Sequence, residues 1–266
     1  MFINKRIVLI GIAALAIISF ASCSKKDDVS NDELEKTESV AEEFSPSDTL
    51  SKMNVYDSEI SVLDNLEEIT EIGQIVKLGS YEQMNDGDMP EPIEWIVMDI
   101  NDGKALLLSR YVLAAQPYST VSAEVSWETS SVREWLNSEF LDTAFSENEK
   151  GRVQISPVNN TDDGGMNTAD SVFLLSEKEA KNYFGTDDSR AAKATAYAAV
   201  SVYTLKGFTE DKELYNGNCR WWLRTPQNDE TGLAKEVRAI GDILSKGQDV
   251  TNTDIGVRPA MWVSIK

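Results

Sequence analysis

The sequence predicts an α+β fold, and three observations carry that reading. Apolar, β-branched runs split by an Asp-Gly pair open the folded part; a middle stretch places apolar residues at three- and four-residue spacing behind Ser-x-x-Glu patterns; short Trp-, Val- and Ile-rich runs broken by glycines close it. Strands, then helices, then strands differ from the regular strand–helix alternation of a parallel α/β sheet.

In chain order, Lys5 and Arg6 precede an apolar run from Ile7 to Phe20, which ends in Phe20-Ala21-Ser22-Cys23. That run, about fourteen residues, suits a signal-peptide core and falls short of the roughly twenty a membrane span needs. Basic start, short apolar core, small residues and cysteine resemble a bacterial lipoprotein signal. The resemblance implies a signal peptide over residues 1–22, cleavage before Cys23 and lipid on its sulfur, so that the membrane is a partner through the anchor.

Residues 23–71 then read as an acidic, disordered tether. Ser24 to Thr70 carries fourteen acidic and four basic residues with no sustained apolar pattern, so little surface is available to offset chain entropy. Ile60, Leu63 and Leu66 permit a transient helix over Asp57–Glu68. The globular part is placed at residues 72–266, long enough to bury a core as one domain.

The formal charge of −20 disfavours nucleic acid and anionic surfaces as partners. With Cys23 lipidated, Cys219 is the one remaining thiol, so an intramolecular disulfide is excluded.

Within the globular part, Ile75–Leu78 begins a strand, and Pro92–Ile100 and Lys104–Ser109 form a hairpin across Asp102-Gly103. Ser131 with Glu134, Ser146 with Glu149 and Ser176 with Glu179 read as capping boxes opening helices. Val132, Trp135, Leu136 and Phe140 give the first of these an apolar face, and an Ala-rich piece from Arg190 to Tyr203 reads as a further helix. Trp221–Pro226, Glu236–Ile243 and Gly256–Trp262 read as strands, with Pro226 and Pro259 at strand ends or edges because proline cannot donate to a ladder.

Several stretches carry a resemblance: Gly79–Gln83, Pro92–Trp95, Lys104–Ser109, Pro117-Tyr118, Trp127-Glu128-x-Ser130-Ser131-x-Arg133-x-Trp135-Leu136-Asn137, Ala144-Phe145, Asp170–Ser176, Trp221–Arg224 and Gly256–Ala260. In this order they resemble the bacterial domain-of-unknown-function family numbered 6273, over essentially all of residues 72–266. The ending, a Trp-rich strand, a Val strand, a glycine hairpin and Val-Arg-Pro, is similar to the C-terminal halves of C-type-lectin-like domains. That similarity implies a C-type-lectin-like core and says nothing of activity. The formylglycine-generating branch of that fold uses paired cysteines, which Cys219 alone does not supply.

The chain has no histidine. Ser-His-Asp and Cys-His nucleophile pairs and His-ligated zinc are therefore excluded within one chain. Cys219 beside Arg220 and two tryptophans reads as a packed thiol. Asp162, Asp163, Asn167 and Asp170 crowd hard oxygens into one loop and make calcium the one cofactor the sequence admits, against the plainer reading of a polar surface loop. Glu94, Asp99, Glu128, Glu134 and Glu139 lie near aromatics, where a facing carboxylate pair would hydrolyse a glycosidic bond. Trp222, Arg258 and Trp262 read as a lock that closes the domain; Trp127, Trp221, Arg224 and Gln227, with the loop on to Thr231, read as ligand contacts.

The functional expectation is a lipid-anchored, extracytoplasmic binding module, periplasmic or cell-surface, that recognises glycan or peptide at the cell envelope. Its alternatives are a carboxylate-dependent glycan hydrolase and a structural subunit of an envelope assembly.

Overall fold

The computed structural model describes residues 46–87, 89–122, 125–161, 165–202, 216–227 and 232–266. The expected signal peptide, Cys23 and the expected tether up to residue 45 lie outside them. Residues 43–266 form one compact unit, a mixed α+β domain of antiparallel sheets and short helices.

Helix α1 (Pro46–Lys52) starts on a proline, whose missing N–H costs nothing in a first turn, and carries Asp48 at its positive end and Lys52 at its negative end. Strand β1 (Val62–Leu63) and a 3-10 turn (Leu66–Glu68) lead into β2 (Ile75–Tyr81), β3 (Glu91–Asn101) and β4 (Lys104–Ser109). Asn101 pairs with Lys104 across Asp102 (φ 47°) and Gly103 (φ 73°). Two successive positive φ values make the two-residue turn whose twist matches the flanking strands.

After β5 (Ala114–Ala115), α2 (Ser131–Trp135) runs through a π-turn (Leu136–Phe140) into α3 (Leu141–Ala144). Helix α4 (Glu147–Lys150), strand β6 (Val153–Gln154) and the ribbon of β7 (Ser156–Val158) and β8 (Thr168–Asp170) follow. Next come α5 (Glu177–Tyr183), α6 (Asp187–Arg190), β9 (Ala192–Lys193), α7 (Ala196–Val202) and β10 (Asn218–Cys219). The chain closes through β11 (Trp221–Pro226), β12 (Leu233–Val237), β13 (Gln248–Asp249), β14 (Gly256–Val257) and β15 (Ala260–Ser264).

One sheet runs β1-β2-β3-β4-β15-β6 and the other β13-β12-β11-β14-β5. All their pairings are antiparallel except β1 with β2 and β11 with β14. The chain changes sheets at Arg258-Pro259: β14 pairs with β11, and β15 then pairs with β4 over Ala260–Ser264. Ser109 fastens that corner, its N–H donating to the Pro259 carbonyl and its own carbonyl accepting from Arg258 Nε, each at 2.9 Å.

Four expectations change. The segment expected as tether does not run to residue 71, because residues 46–69 bury Leu50, Val55, Leu66 and Ile69 in the core. Full burial of such side chains contributes about 1.5–3 kcal/mol apiece, which offsets the entropy of ordering a mostly polar segment. Arg110 and Tyr56 fasten the same strap. Arg110 Nε donates to the Val55 carbonyl at 2.6 Å, and Tyr56 Oη donates to the Arg110 carbonyl at 2.9 Å. Asp57–Glu68 forms turns, β1 and the 3-10 turn instead of an α-helix.

The first capping site is Ser130, whose hydroxyl accepts from Arg133 N; Ser131 bonds Thr120. Ser146/Glu149 and Ser176/Glu179 are full capping boxes. Within the described part of the Ala-rich piece, strand β9 precedes the helix, which occupies only α7.

Candidate functional site

Strand β11 lies in the middle of its sheet and is buried on both faces, which removes Trp221 from the surface. Trp221 and Trp222 are both fully buried. Alternation would put Trp221 outward only if one face of the strand met water. Instead Trp221 Nε1 donates to the Arg190 carbonyl, and the Arg258 guanidinium lies 5.2 Å from its ring. Trp222 Nε1 donates to the Gln116 carbonyl at 2.9 Å, and its ring meets Tyr118 edge-on at 5.7 Å.

Arg224 has no donor left for a ligand. Nε reaches Asn160 Oδ1 at 3.0 Å, Nη1 the Leu174 carbonyl at 2.9 Å and Nη2 the Asn159 carbonyl at 3.2 Å, while both Nη atoms grip Glu179. All five guanidinium N–H groups are thereby used inside the protein. Trp127 is also buried, its indole N–H donating to Asp170 Oδ2 at 2.8 Å. Of the four predicted contact residues only Gln227 reaches the surface, half-buried, and residues 228–231 of its loop lie outside the described residues.

Arg258 is buried, with ring faces in place of a carboxylate. Its guanidinium sits over Trp221 and Phe184, and among the described residues it has no ion-pair partner. Burial lowers its pKa. Trp262 is half-buried, opposite Leu106 and Gln154 in the six-stranded sheet.

The predicted calcium ligands do not form a cage. Asp162 and Asp163 lie outside the described residues. Asn167 Oδ1 accepts from Asn160 N at 2.8 Å. Asp170 is buried with both oxygens engaged: Oδ1 takes Arg133 Nε at 2.7 Å, and Oδ2 takes the Trp127 indole and Thr168 Oγ1. A cation there would have to displace a guanidinium. Among the described residues, Glu82, Asp86 and Glu91 bring carboxylate oxygens within 4.8 Å of one another beside the β2–β3 connection, where Glu82 and Glu91 accept backbone N–H groups of the turn.

The same Asp170 supports an open cleft of about 430 Å³ lined by Glu128, Thr129, Ser130, Arg133, Glu134, Asn137, Ile155, Ala169 and Ser171. The segment from Trp127 to Asn137 builds one wall. The N-cap at Ser130 sets where α2 begins, so Arg133 lies one turn in and reaches back to the Glu128 carbonyl at 3.1 Å and across to Asp170. Asn137 then pins the helix to the next segment: Nδ2 donates to the Val172 carbonyl at 2.8 Å, and Oδ1 accepts from Ser171 N at 2.8 Å. Glu128 is half-buried and Glu134 exposed, and Ile155 stands at the rim with 75 % of its surface exposed.

A larger cleft, about 530 Å³, is lined by Pro46, Ser47, Glu179, Lys181, Asn182 and Tyr183. Its charged groups are committed, Glu179 to Arg224 and Lys181 to Glu177. Its wall also includes the first described residue, so the smaller cleft is the better-defined candidate.

The other carboxylates near aromatics have structural roles or stand in solvent. Glu94 pairs with Arg110 at 2.6 Å, Asp99 caps the N–H of Ile100, and Glu139 is exposed. Burial pushes the Cys219 thiol up to about 12, which removes it as a nucleophile. No helix among the described residues is long and apolar enough to cross a membrane.

Arg133, Asn137, Ile155, Ala169 and Ser171 were not singled out as contacts from sequence, although the Trp127–Asn137 motif contains the first two. A family model described as a domain of unknown function (DUF6273) matches residues 102–265. No curated protein and no solved structure matches the chain.

Proposed function

The chain belongs to the family described as a domain of unknown function (DUF6273), a name that carries no chemistry, and on its own residues we propose a lipid-anchored, extracytoplasmic binding module. In this reading Cys23 carries the anchor, and the cleft beside Glu128 recognises glycan or peptide at the cell envelope. The observation that carries it is the construction of the cleft. Arg133, Asp170 and Asn137 lock the capped helix to the β-ribbon, so the two walls that carry its polar side chains are held together before any ligand arrives.

A C-type-lectin-like core accords with the return of β15 to pair beside β4, which closes the domain on its own C-terminal strand. A second reading, a carboxylate-dependent glycan hydrolase, draws support from Glu128 and Glu134 sharing the cleft. That chemistry needs one acid kept protonated by burial, whereas Glu134 is exposed and Glu128 only half-buried, so binding is the leading reading.

Two measurements test the proposal. Radiolabelled fatty acid should enter the wild-type chain and not Cys23→Ala; equal labelling refutes the anchor. A glycan and peptide array probed with the full chain in detergent should give discrete hits, and a blank array refutes the binding module.

A further inference from the structure

Resting on the reading of this cleft as a ligand site, we infer that its occupant is a basic peptide segment. The aliphatic stem of a lysine or arginine lies on Ile155, and its cationic head is taken by Glu128 and Glu134. Charge gives the sign. Among the described residues Arg133 is the one cation lining the cleft, and Asp170, whose side chain is fully buried, pairs with it at 2.6 Å. The carboxylates of Glu128 and Glu134 have no cation partner among the described residues. The cleft therefore presents two unpaired negative charges, on a chain of formal charge −20 that draws cations from solution.

The lining supplies the rest of the specificity. Among the described residues it contains no aromatic side chain on which a sugar ring could stack. It does contain Ile155, 75 % exposed in a domain whose isoleucines are mostly buried or half-buried. An apolar contact beside two acids matches a side chain that is apolar along its stem and charged at its tip. Asn137 spends both ends of its amide on the protein backbone, and the Thr129 and Ser130 hydroxyls bond within their own turn, so among the described residues Ser171 is the neutral lining side chain left to meet a peptide's own amides.

The test is fluorescence anisotropy of two labelled alanine peptides, both N-acetylated and C-amidated, one with a central lysine and the other with Nε-acetyl-lysine. Each is titrated with the full chain in detergent at low salt. The lysine peptide should bind about tenfold more tightly, as two partly exposed ion pairs allow, and the advantage should shrink as salt rises. The Glu128→Gln/Glu134→Gln double variant should lose that advantage. Ile155→Ser, away from the charges, should weaken the lysine peptide about threefold, the scale of a small apolar contact, and keeps the inference testable if the double variant misfolds.

Equal affinity for the two peptides, no binding of either, or a lysine preference that survives both variants overturns the inference. Displacement of the lysine peptide by spermidine at equal or lower concentration also overturns it, and assigns the site to free polyamines. The broader cleft reading has a separate fate. If the two peptides bind equally and Ala169→Trp abolishes both, the cleft stands and only its charge preference falls. If Ala169→Trp leaves the array ligands bound, the cleft itself is refuted.

Discussion

The indole of Trp127 donates to Asp170 at 2.8 Å, so the residue that begins the cleft-forming motif is fixed by a carboxylate buried behind it. Arg133 reaches the same carboxylate from the cleft side. One buried acid thus holds together the floor of the site and the helix that walls it.

Asp170→Ala should leave the Trp127 N–H without its partner and strip Arg133 of its ion pair, with only the Glu128 carbonyl still accepting from its guanidinium. Breaking a buried pair in this way costs about 3–5 kcal/mol. Urea denaturation should show a loss of that order, and a loss below about 1 kcal/mol would mean that Asp170 does not organise the cleft.

Glu236 makes stability depend on pH. Burial pushes its carboxyl up to about 7, with Asp254 and Asp242 adding to the rise and Arg220 and Arg238 opposing it. An unfolded glutamate titrates near about 4.3. The folded form therefore holds the proton more tightly, and its contribution is full below about pH 4.3 and lost as pH rises through about 7, by at most about 4 kcal/mol. Glu236→Gln should be more stable than wild type at pH 8, with a flatter profile of melting temperature between pH 5 and 8. A variant profile parallel to that of wild type would contradict this.

Gly241 has φ +85°, and a Cβ there would sit 1.7 Å from the Asp187 carbonyl oxygen. Its own carbonyl accepts from Arg190 Nε at 3.0 Å, so the backbone cannot retreat without breaking a buried bond. Gly241→Ala should cost at least about 2 kcal/mol from clash and φ strain together, measured as a shift of the urea midpoint; an unchanged midpoint would contradict the close approach.

The parts of this fold legible in the sequence are those whose cause is local. The Asp102-Gly103 turn needs positive φ, and two of the capping boxes need only four adjacent residues, so spacing identified them. At Ser130-Ser131 local spacing offered two serines, and the choice fell to Thr120, distant in sequence, which takes the second. The strap from residue 46 was hidden because its apolar residues stand singly among acids, and only the sheet and helices they pack on make them core. Trp221 was misplaced for a related reason: alternation tells which residues share a face, and not whether water lies beyond it. The cleft was half-legible. Its motif from Trp127 to Asn137 was visible, but Ile155 and Ser171 join it only through the fold, and the tryptophan that drew attention serves as its hidden support.

The most direct measurement of the central claim is the glycan and peptide array repeated with Ala169→Trp. Ala169 is exposed and lines the cleft, so an indole there fills the space without entering the core. The account predicts a variant with an unchanged melting temperature that loses the array hits of the wild type. Retention of those hits at equal intensity would contradict it and place recognition elsewhere on the domain.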